Sequence, residues 1–297
     1  MPVKMARNGD VELAYETFGA PGGQPLLLIM GLGHQMLWWP DGFCEHLVRA
    51  GFFVARFDNR DSGLSTHFDH TATDDKWWKS LLGRGAPPPY GGDDFVRDAL
   101  AVMDALGWVS AHIAGGSMGG GICQALAADH PSRVRSMTTL VCMPASTSLG
   151  GLRHLRFGPI LAMARKRYAA DAESQQQRLV DLFRALASPG RPFDERWARD
   201  VARRSHARRP FDPRAERRQL AAGRRRGRSV DFGRITAPAL VVYGEDDPLV
   251  RPSGSKALAR KIKGAKLIGY PGMGHELPAH VWADLAGEMA RLATIRS

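Results

Sequence analysis

A serine set among glycines is the residue of this chain whose surroundings most clearly suggest chemistry. Residues 115–121 read GGSMGGG, and Gly115 to Gly119 match G-x-S-x-G between an apolar run and a helical pattern. That pattern puts a serine on a sharp strand-to-helix turn, with small neighbours that let other segments pass close to its hydroxyl. The phosphate-binding patterns G-x-x-x-x-G-K-[ST] and G-x-G-x-x-G do not occur at this turn. We therefore predict that Ser117 is a nucleophile.

A serine nucleophile needs a base to accept its proton and a third group to orient that base. His275 lies in a glycine-flanked loop after the last predicted strand, and the loop after the preceding strand offers Asp246 and Asp247. These loops follow strands, where α/β folds build their sites. His34, after the first long strand, is a candidate for substrate contact rather than for the base.

The oxyanion formed by attack on a carbonyl group needs backbone N–H donors that are already in position. One donor is expected from Met118, which follows the serine. The second is expected in the segment MGLGH (30–34), where Gly31 and Gly33 permit tight backbone and Leu32 supplies the N–H. A tight turn without a catalytic role is the alternative interpretation of that segment.

The elements that must position these residues alternate along the chain. Continuous apolar runs of strand length favour strands buried on both faces of a parallel sheet, and 3.6-residue periodicity between them favours helices. The pattern predicts an α/β fold with helices on both faces of a mostly parallel sheet. The predicted strands are 11–19, 25–30, 52–58, 110–116, 133–144, 239–244 and 265–271, and the predicted helices are 93–107, 119–131, 253–262 and 280–295.

The alternation stops between residues 145 and 235, which predicts a helical lid inserted after the strand at 133–144, with 1–144 and 236–297 as the core. Residues 148–164 carry an apolar stripe, including Phe157, that either packs on the core or contacts substrate. Trp38 and Trp39 have the same two interpretations, as an acyl pocket or as anchors for the lid.

Most of the net charge of +11 lies in the predicted lid. Fifteen arginines and six acidic residues occur between Arg191 and Arg234. The segment lacks interleaved aromatic residues and any nucleic-acid motif, so we expect a solvated helical face and no nucleic-acid partner. An acidic substrate, partner or membrane surface is the alternative.

Composition narrows the class of protein further. Three cysteines without paired spacing argue against a disulfide framework and against a metal site, and we expect neither a metal nor a cofactor. The first residues lack the apolar run of a secretory signal, and the most apolar stretch, 25–33, is too short to span a bilayer. The expected location is cytoplasmic.

Several stretches together resemble the α/β-hydrolase superfamily: MGLG, FDNRDSGLST, GGSMGG, YGEDDPLV and PGMGHELP. Within it, the chain is most similar to the group that contains aclacinomycin methylesterase, which removes a methyl ester from a polyketide antibiotic. The resemblance implies Ser117 as nucleophile, His275 as base and Asp247, three residues after Gly244, as the acid. It also implies Leu32 and Met118 as oxyanion donors. The chain differs from many relatives in having methionine where this loop commonly begins with histidine.

The expected function is a cofactor-free serine hydrolase that cleaves a carboxylic ester of an apolar small molecule, such as a methyl ester or a lactone. The alternative is a cofactor-free haloperoxidase (perhydrolase) or a carbon–carbon bond hydrolase on the same fold. A third hypothesis is a relative without enzymatic activity, against which the intact set of Ser117, Asp247 and His275 argues. The sequence leaves open whether the protein is a monomer or a homodimer.

Overall fold

A single twisted sheet forms the centre of the protein. The computed structural model describes residues 2–71, 77–81, 86–145, 149–225 and 229–295. Within them, eight strands pair in the order β1-β2-β4-β3-β5-β6-β7-β8. β2 runs antiparallel to both neighbours, and the other pairs are parallel. The strands are β1 Lys4–Asn8, β2 Val11–Phe18, β3 Gln24–Ile29, β4 Phe52–Phe57, β5 Ala111–Gly116, β6 Val134–Leu140, β7 Ala239–Gly244 and β8 Lys266–Tyr270.

Helices cover both faces of the sheet, which confirms the predicted α/β class. The apolar runs of the central strands are buried on both sides: Leu27 and Ile29 belong to one core, and Leu26 and Leu28 to the other. This two-sided burial is why those strands lack polar alternation. The helices are α1 Asp41–Arg49, α2 Trp77–Leu81, α3 Gly92–Ala105, α4 Met118–Asp129, α5 Gly158–Arg165, α6 Ala172–Leu186, α7 Glu195–Arg208, α8 Pro213–Arg224, α9 Pro252–Lys261 and α10 Trp282–Ala293.

The predicted β6 is too long at its carboxyl end. The strand ends at Leu140 rather than near residue 144, because Val141 has a φ of +47° and turns the chain out of the sheet. Its backbone N–H still donates to the Val242 carbonyl at 2.9 Å. The chain leaves the sheet at this point toward α5.

In the described part of the chain between β6 and β7 there are four α-helices, α5 to α8, and we call them the inserted helices. Apolar residues of α6 and α7, including Phe183 and Val201, share a core with Trp38 of the segment after β3. The boundaries of a separate lid at 145 and 235 stay a prediction. Two parts of the predicted lid lie outside the described residues: residue 148 of the apolar stripe and residues 226–228 of the arginine-rich segment.

The arginines of the inserted helices do not form one solvated face. Arg208 donates to buried Asp58 at 2.7 Å, and Arg218 pairs with Asp61, both side chains being fully buried. Arg203, by contrast, is 66% exposed and pairs with Asp200 of its own helix. The expected solvated face is therefore right for part of this segment and wrong for the arginines that contact the loop after β4.

Candidate active site

Four loops that follow parallel strands carry the predicted site. The segment 30–34 follows β3, Ser117 follows β5, Asp247 follows β7 and His275 follows β8. Because carboxyl ends of parallel strands meet at one edge of a sheet, all four loops lie on the same edge. β3 neighbours β5 and β7 neighbours β8, with β6 between the two pairs.

Ser117 occupies a strained turn between β5 and α4. Its φ is +52°, a region that residues with a side chain seldom adopt, and its N–H donates to the Leu140 carbonyl at 2.9 Å. A side chain at Gly119 would collide with the carbonyl of Ile29, and one at Gly115 with the backbone of Gly119. The glycines thus let three backbone segments meet beneath the serine, as a nucleophile turn requires.

His275 and Asp247 are held together by a hydrogen bond of 2.8 Å between Nδ1 and Oδ2. The other carboxylate oxygen, Oδ1, accepts from the N–H groups of Leu249 and Val250, each at 2.8 Å. Asp247 is almost fully buried. With both of its oxygens bonded, the carboxylate has one orientation, and it leaves Nε2 of His275 as the nitrogen available for proton transfer.

Asp246, the other acid of the same loop, points elsewhere. Its Oδ2 accepts from the Ser188 hydroxyl at 3.1 Å, just after α6. The backbone N–H of His275 also reaches this region, donating to the Leu186 carbonyl at 2.7 Å. The end of α6 is therefore joined to the loops that carry the acid and the histidine.

Residues 30–34, which we call the oxyanion segment after the role predicted for them, lie directly against the nucleophile turn. A Cβ at Gly31 would be 3.4 Å from the Cβ of Ser117. Among the described residues no hydrogen bond uses the Leu32 N–H. Met118 is the first residue of α4, and a first-turn N–H has no partner within its own helix. The two predicted oxyanion donors thus belong to adjacent loops.

His34 is partly buried, and its ring is uncharged at neutral pH. Burial lowers its pKa to about 4, with a smaller contribution from His275 and Arg178 nearby. The ring lies 4.8 Å from that of Phe183 and 5.6 Å from that of Trp38, between centroids. Its Nδ1 is buried and has no hydrogen-bond partner among the described residues. The ring thus packs between the segment after β3 and α6, and substrate contact by His34 stays a prediction.

The three aromatic candidates differ in their surroundings. Trp38 stacks on Phe183 of α6 with ring centroids 3.4 Å apart, so it contacts the inserted helices. Trp39 lies beneath the end of β5, where a Cβ at Gly116 would approach its ring to 3.9 Å. Phe157 is partly buried at the start of α5. Trp38 has the packing of an anchor, whereas Trp39 is close to the nucleophile turn.

Two further charged side chains near this site could not be identified from any pattern in the sequence. The Glu216 side chain of α8 covers Gly33, and burial raises the pKa of its carboxyl group. Arg178 of α6 places its guanidinium over the ring of Phe211 at 3.8 Å. Both are charged residues in an arginine-rich, helical stretch, and such stretches do not reveal which members face inward.

The described residues offer no set of three or more metal-ligating side chains. Cys44, Cys123 and Cys142 are buried thiols, and burial raises the pKa of each. None of the described helices has the length and apolar character needed to cross a bilayer.

Comparison with known proteins places the chain in a family. Residues 24–278 match the family described as the alpha/beta hydrolase fold. Rhodomycin D methylesterase of Streptomyces peucetius is 33% identical, with 99% of this chain and 100% of that protein covered. Rhodomycin D methylesterase of Streptomyces sp. (strain C5) is 32% identical with the same coverage.

A solved structure agrees in fold. A hydrolase from Pseudomonas aeruginosa PA01 superposes with a TM-score of 0.71 at 22% identity, over 99% of this chain and 98% of the other. The resemblance to the methylesterase group is confirmed by the two full-length relatives. The strand order, the turn at Ser117 and the match over 24–278 agree, and the chain belongs to the α/β-hydrolase family.

Proposed function

We propose that this protein hydrolyses the methyl ester of an apolar small molecule through Ser117, His275 and Asp247. Its broad class is established by its relatives: it is a carboxylic ester hydrolase. The observation that supports the triad most directly is the 2.8 Å hydrogen bond between His275 Nδ1 and Asp247 Oδ2, on the sheet edge that carries Ser117.

In the first half of the reaction, Ser117 Oγ attacks the ester carbonyl carbon while Nε2 of His275 takes the hydroxyl proton. The carbonyl oxygen becomes an oxyanion, which accepts hydrogen bonds from the N–H groups of Leu32 and Met118. The tetrahedral intermediate then expels the alkoxide, to which the imidazolium of His275 donates the proton that it took from Ser117. For a methyl ester, methanol leaves and the acyl group stays on Ser117.

In the second half, Nε2 of His275 takes a proton from water, and the hydroxide attacks the acyl carbon. Collapse of this second intermediate returns the proton to Ser117 and releases the carboxylic acid. Asp247 holds the Nδ1–H tautomer throughout and stabilises the imidazolium, while Leu249 and Val250 keep its carboxylate in place. No cofactor takes part in these steps.

The methyl ester is proposed because both full-length relatives are named methylesterases. The inserted helices, as a lid, would supply one wall for the rest of the substrate. His34, which is partly exposed and adjoins Gly33, would contact it through its ring. Trp39 would line the acyl side near Ser117, and Phe157 the lid side. Trp38 is the weakest of these candidates, because its ring already stacks on that of Phe183.

The test is a panel of purified-enzyme assays with esters that vary in acyl length and in alcohol size, including bulky methyl esters. We expect turnover of p-nitrophenyl butyrate and a preference for bulky acyl groups with methanol as leaving group. Ser117→Ala should abolish turnover. Turnover of carbon–carbon bond substrates, or peracid formation from acetate and peroxide that exceeds ester hydrolysis, would instead support one of the alternative reactions.

A further inference from the structure

The oxyanion donor Leu32 belongs to a peptide unit whose two neighbouring units are each held by a buried side-chain amide. On one side, Asn59 Nδ2 donates to the Met30 carbonyl at 2.9 Å. On the other side, the Gly33 N–H donates to Oε1 of Gln219 at 2.8 Å. The unit between them, which carries the Leu32 N–H, therefore has a fixed backbone on both sides.

Gln219 does not come from the sheet or its loops. It lies on α8 of the inserted helices and is fully buried. Its Nε2 donates to the Arg60 carbonyl at 2.7 Å, beside Asn59 in the loop after β4. Because its donor and its acceptor are both engaged, the amide has one orientation, with the oxygen toward Gly33. The Gln219 side chain thus connects Gly33, near one end of the oxyanion segment, to the loop after β4. Asn59 of that same loop holds Met30 at the other end of the segment.

The oxyanion segment needs such support because its own backbone is permissive. Gly31 lacks a side chain next to Ser117, and Gly33 has a φ of +71°. Glycines have more backbone freedom than other residues, so an unsupported segment would spread over several conformations. A donor stabilises an oxyanion only when it is already aimed at the position that the oxygen reaches in the transition state.

We propose that Gln219 is a positioning residue that aims the Leu32 N–H at the oxyanion, so that an inserted helix completes the oxyanion hole. The inference deepens the proposed function and rests on it. It assigns α8 a role beyond covering substrate, because the contact that packs this helix against the oxyanion segment also fixes the direction of the Leu32 N–H. The neighbouring buried pair of Arg218 and Asp61 holds α8 in register for this contact.

The test substitutes Gln219→Met, which keeps the length of the side chain and removes both hydrogen bonds. Gln124→Met is the matched control. Gln124 is equally buried, accepts from the Ala145 N–H at 2.7 Å and donates to the Met143 carbonyl at 3.1 Å, away from the oxyanion segment. Both variants lose the same kind of bridge between two backbone groups.

The readouts are kcat and KM for p-nitrophenyl butyrate, affinity for a trifluoromethyl ketone that forms a tetrahedral adduct, and Tm. For Gln219→Met we expect kcat and analogue affinity to fall together, by about 10- to 100-fold, with KM changed by less than about threefold. Gln124→Met should lower Tm by a similar amount and leave kcat and analogue affinity within about twofold of wild type.

The inference is overturned if Gln219→Met lowers Tm while kcat and analogue affinity stay within twofold of wild type. If the methionine variant does not fold, Gln219→Ala, which leaves room for water at the two backbone groups, is measured with the same expectation. Failure of the proposed function looks different: wild type itself would then neither hydrolyse the ester nor bind the ketone.

Discussion

At the scale of single residues, small size is required at some glycines of GGSMGGG and not at others. The pattern around the nucleophile explains Gly115 and Gly119 but leaves the next two glycines without a reason. A Cβ at Gly120 would lie 2.8 Å from Sγ and 3.0 Å from Cβ of Cys142, closer than ordinary van der Waals contact. A Cβ at Gly121 would make ordinary contact, 3.8 Å from Ala145. Only the first of the two is explained by packing.

Alanine substitutions at these two neighbours should therefore have different effects on stability. We expect Gly120→Ala to destabilise the protein by roughly 1–3 kcal/mol, because it overpacks α4 against Cys142. Gly121→Ala should be neutral or stabilising by up to about 1 kcal/mol, since alanine favours the helix. Urea denaturation measures both free energies of unfolding. Equal stability of the two variants would contradict this packing.

At the scale of elements, buried ion pairs attach the inserted helices to the loop after β4. Arg218 donates to both oxygens of Asp61, at 2.7 and 2.8 Å, with neither side chain exposed. Arg208 bonds to Asp58, whose Oδ1 also accepts from the Met36 N–H at 2.7 Å. The FDNRDSG stretch thus carries one side chain that holds the oxyanion segment and two side chains that bond to α7 and α8.

Removing one partner of such a pair should be costly. We expect Arg218→Met to lower the free energy of unfolding by roughly 3–5 kcal/mol, because Asp61 is left as an uncompensated buried charge. Adding Asp61→Asn to that variant should recover part of the loss. Asp200→Asn, which removes the exposed partner of Arg203, is the control and should change stability by less than about 0.5 kcal/mol. A loss for Arg218→Met no larger than for the control would show that the pair does not hold α8.

At the scale of the whole molecule, the arginines of the inserted helices do more than give the surface a positive charge. Some of them also hold these helices to the rest of the protein through ion pairs. The net charge of +11 comes mainly from the inserted segment, yet several of its arginines pair with carboxylates outside it, at Asp41, Asp58 and Asp61. The interior also holds neutral histidines. His112 lies between the side chains of Ser136 and Gln24, and burial lowers its pKa to about 4.

The low pKa of His112 predicts a loss of stability in acid. Below its ordinary pKa of 6.5 the unfolded chain binds a proton that the folded protein does not accept until about pH 4. Stability should thus fall as the pH decreases from about 6.5 to about 4, with a contribution from His112 of at most roughly 3 kcal/mol. His112→Gln should flatten this dependence in urea titrations at pH 7.5 and 4.5. The exposed-site control is His280→Gln, and an equally steep profile in both variants would refute the assignment.

Much of the fold and part of the site could be predicted from sequence, because those features are local. The Ser117 turn has its own glycine spacing, and buried parallel strands are continuous apolar runs. The contact of Gln219 with Gly33 joins positions 186 residues apart and depends on how α8 docks. Likewise, an arginine count says nothing about which residue each guanidinium meets. The choice of Asp247 over Asp246 rested on family resemblance, and the hydrogen bond to His275 agrees with it.

The most direct test of the central claim is covalent labelling with a phosphonofluoridate, followed by mass spectrometry of the peptides. Such a reagent phosphonylates a serine only when a base and an oxyanion hole activate it. We expect one phosphonyl group per chain, on the peptide that contains Ser117, and none on Ser117→Ala or on heat-denatured protein. Labelling of another residue, or equal labelling of wild type and Ser117→Ala, would contradict the account.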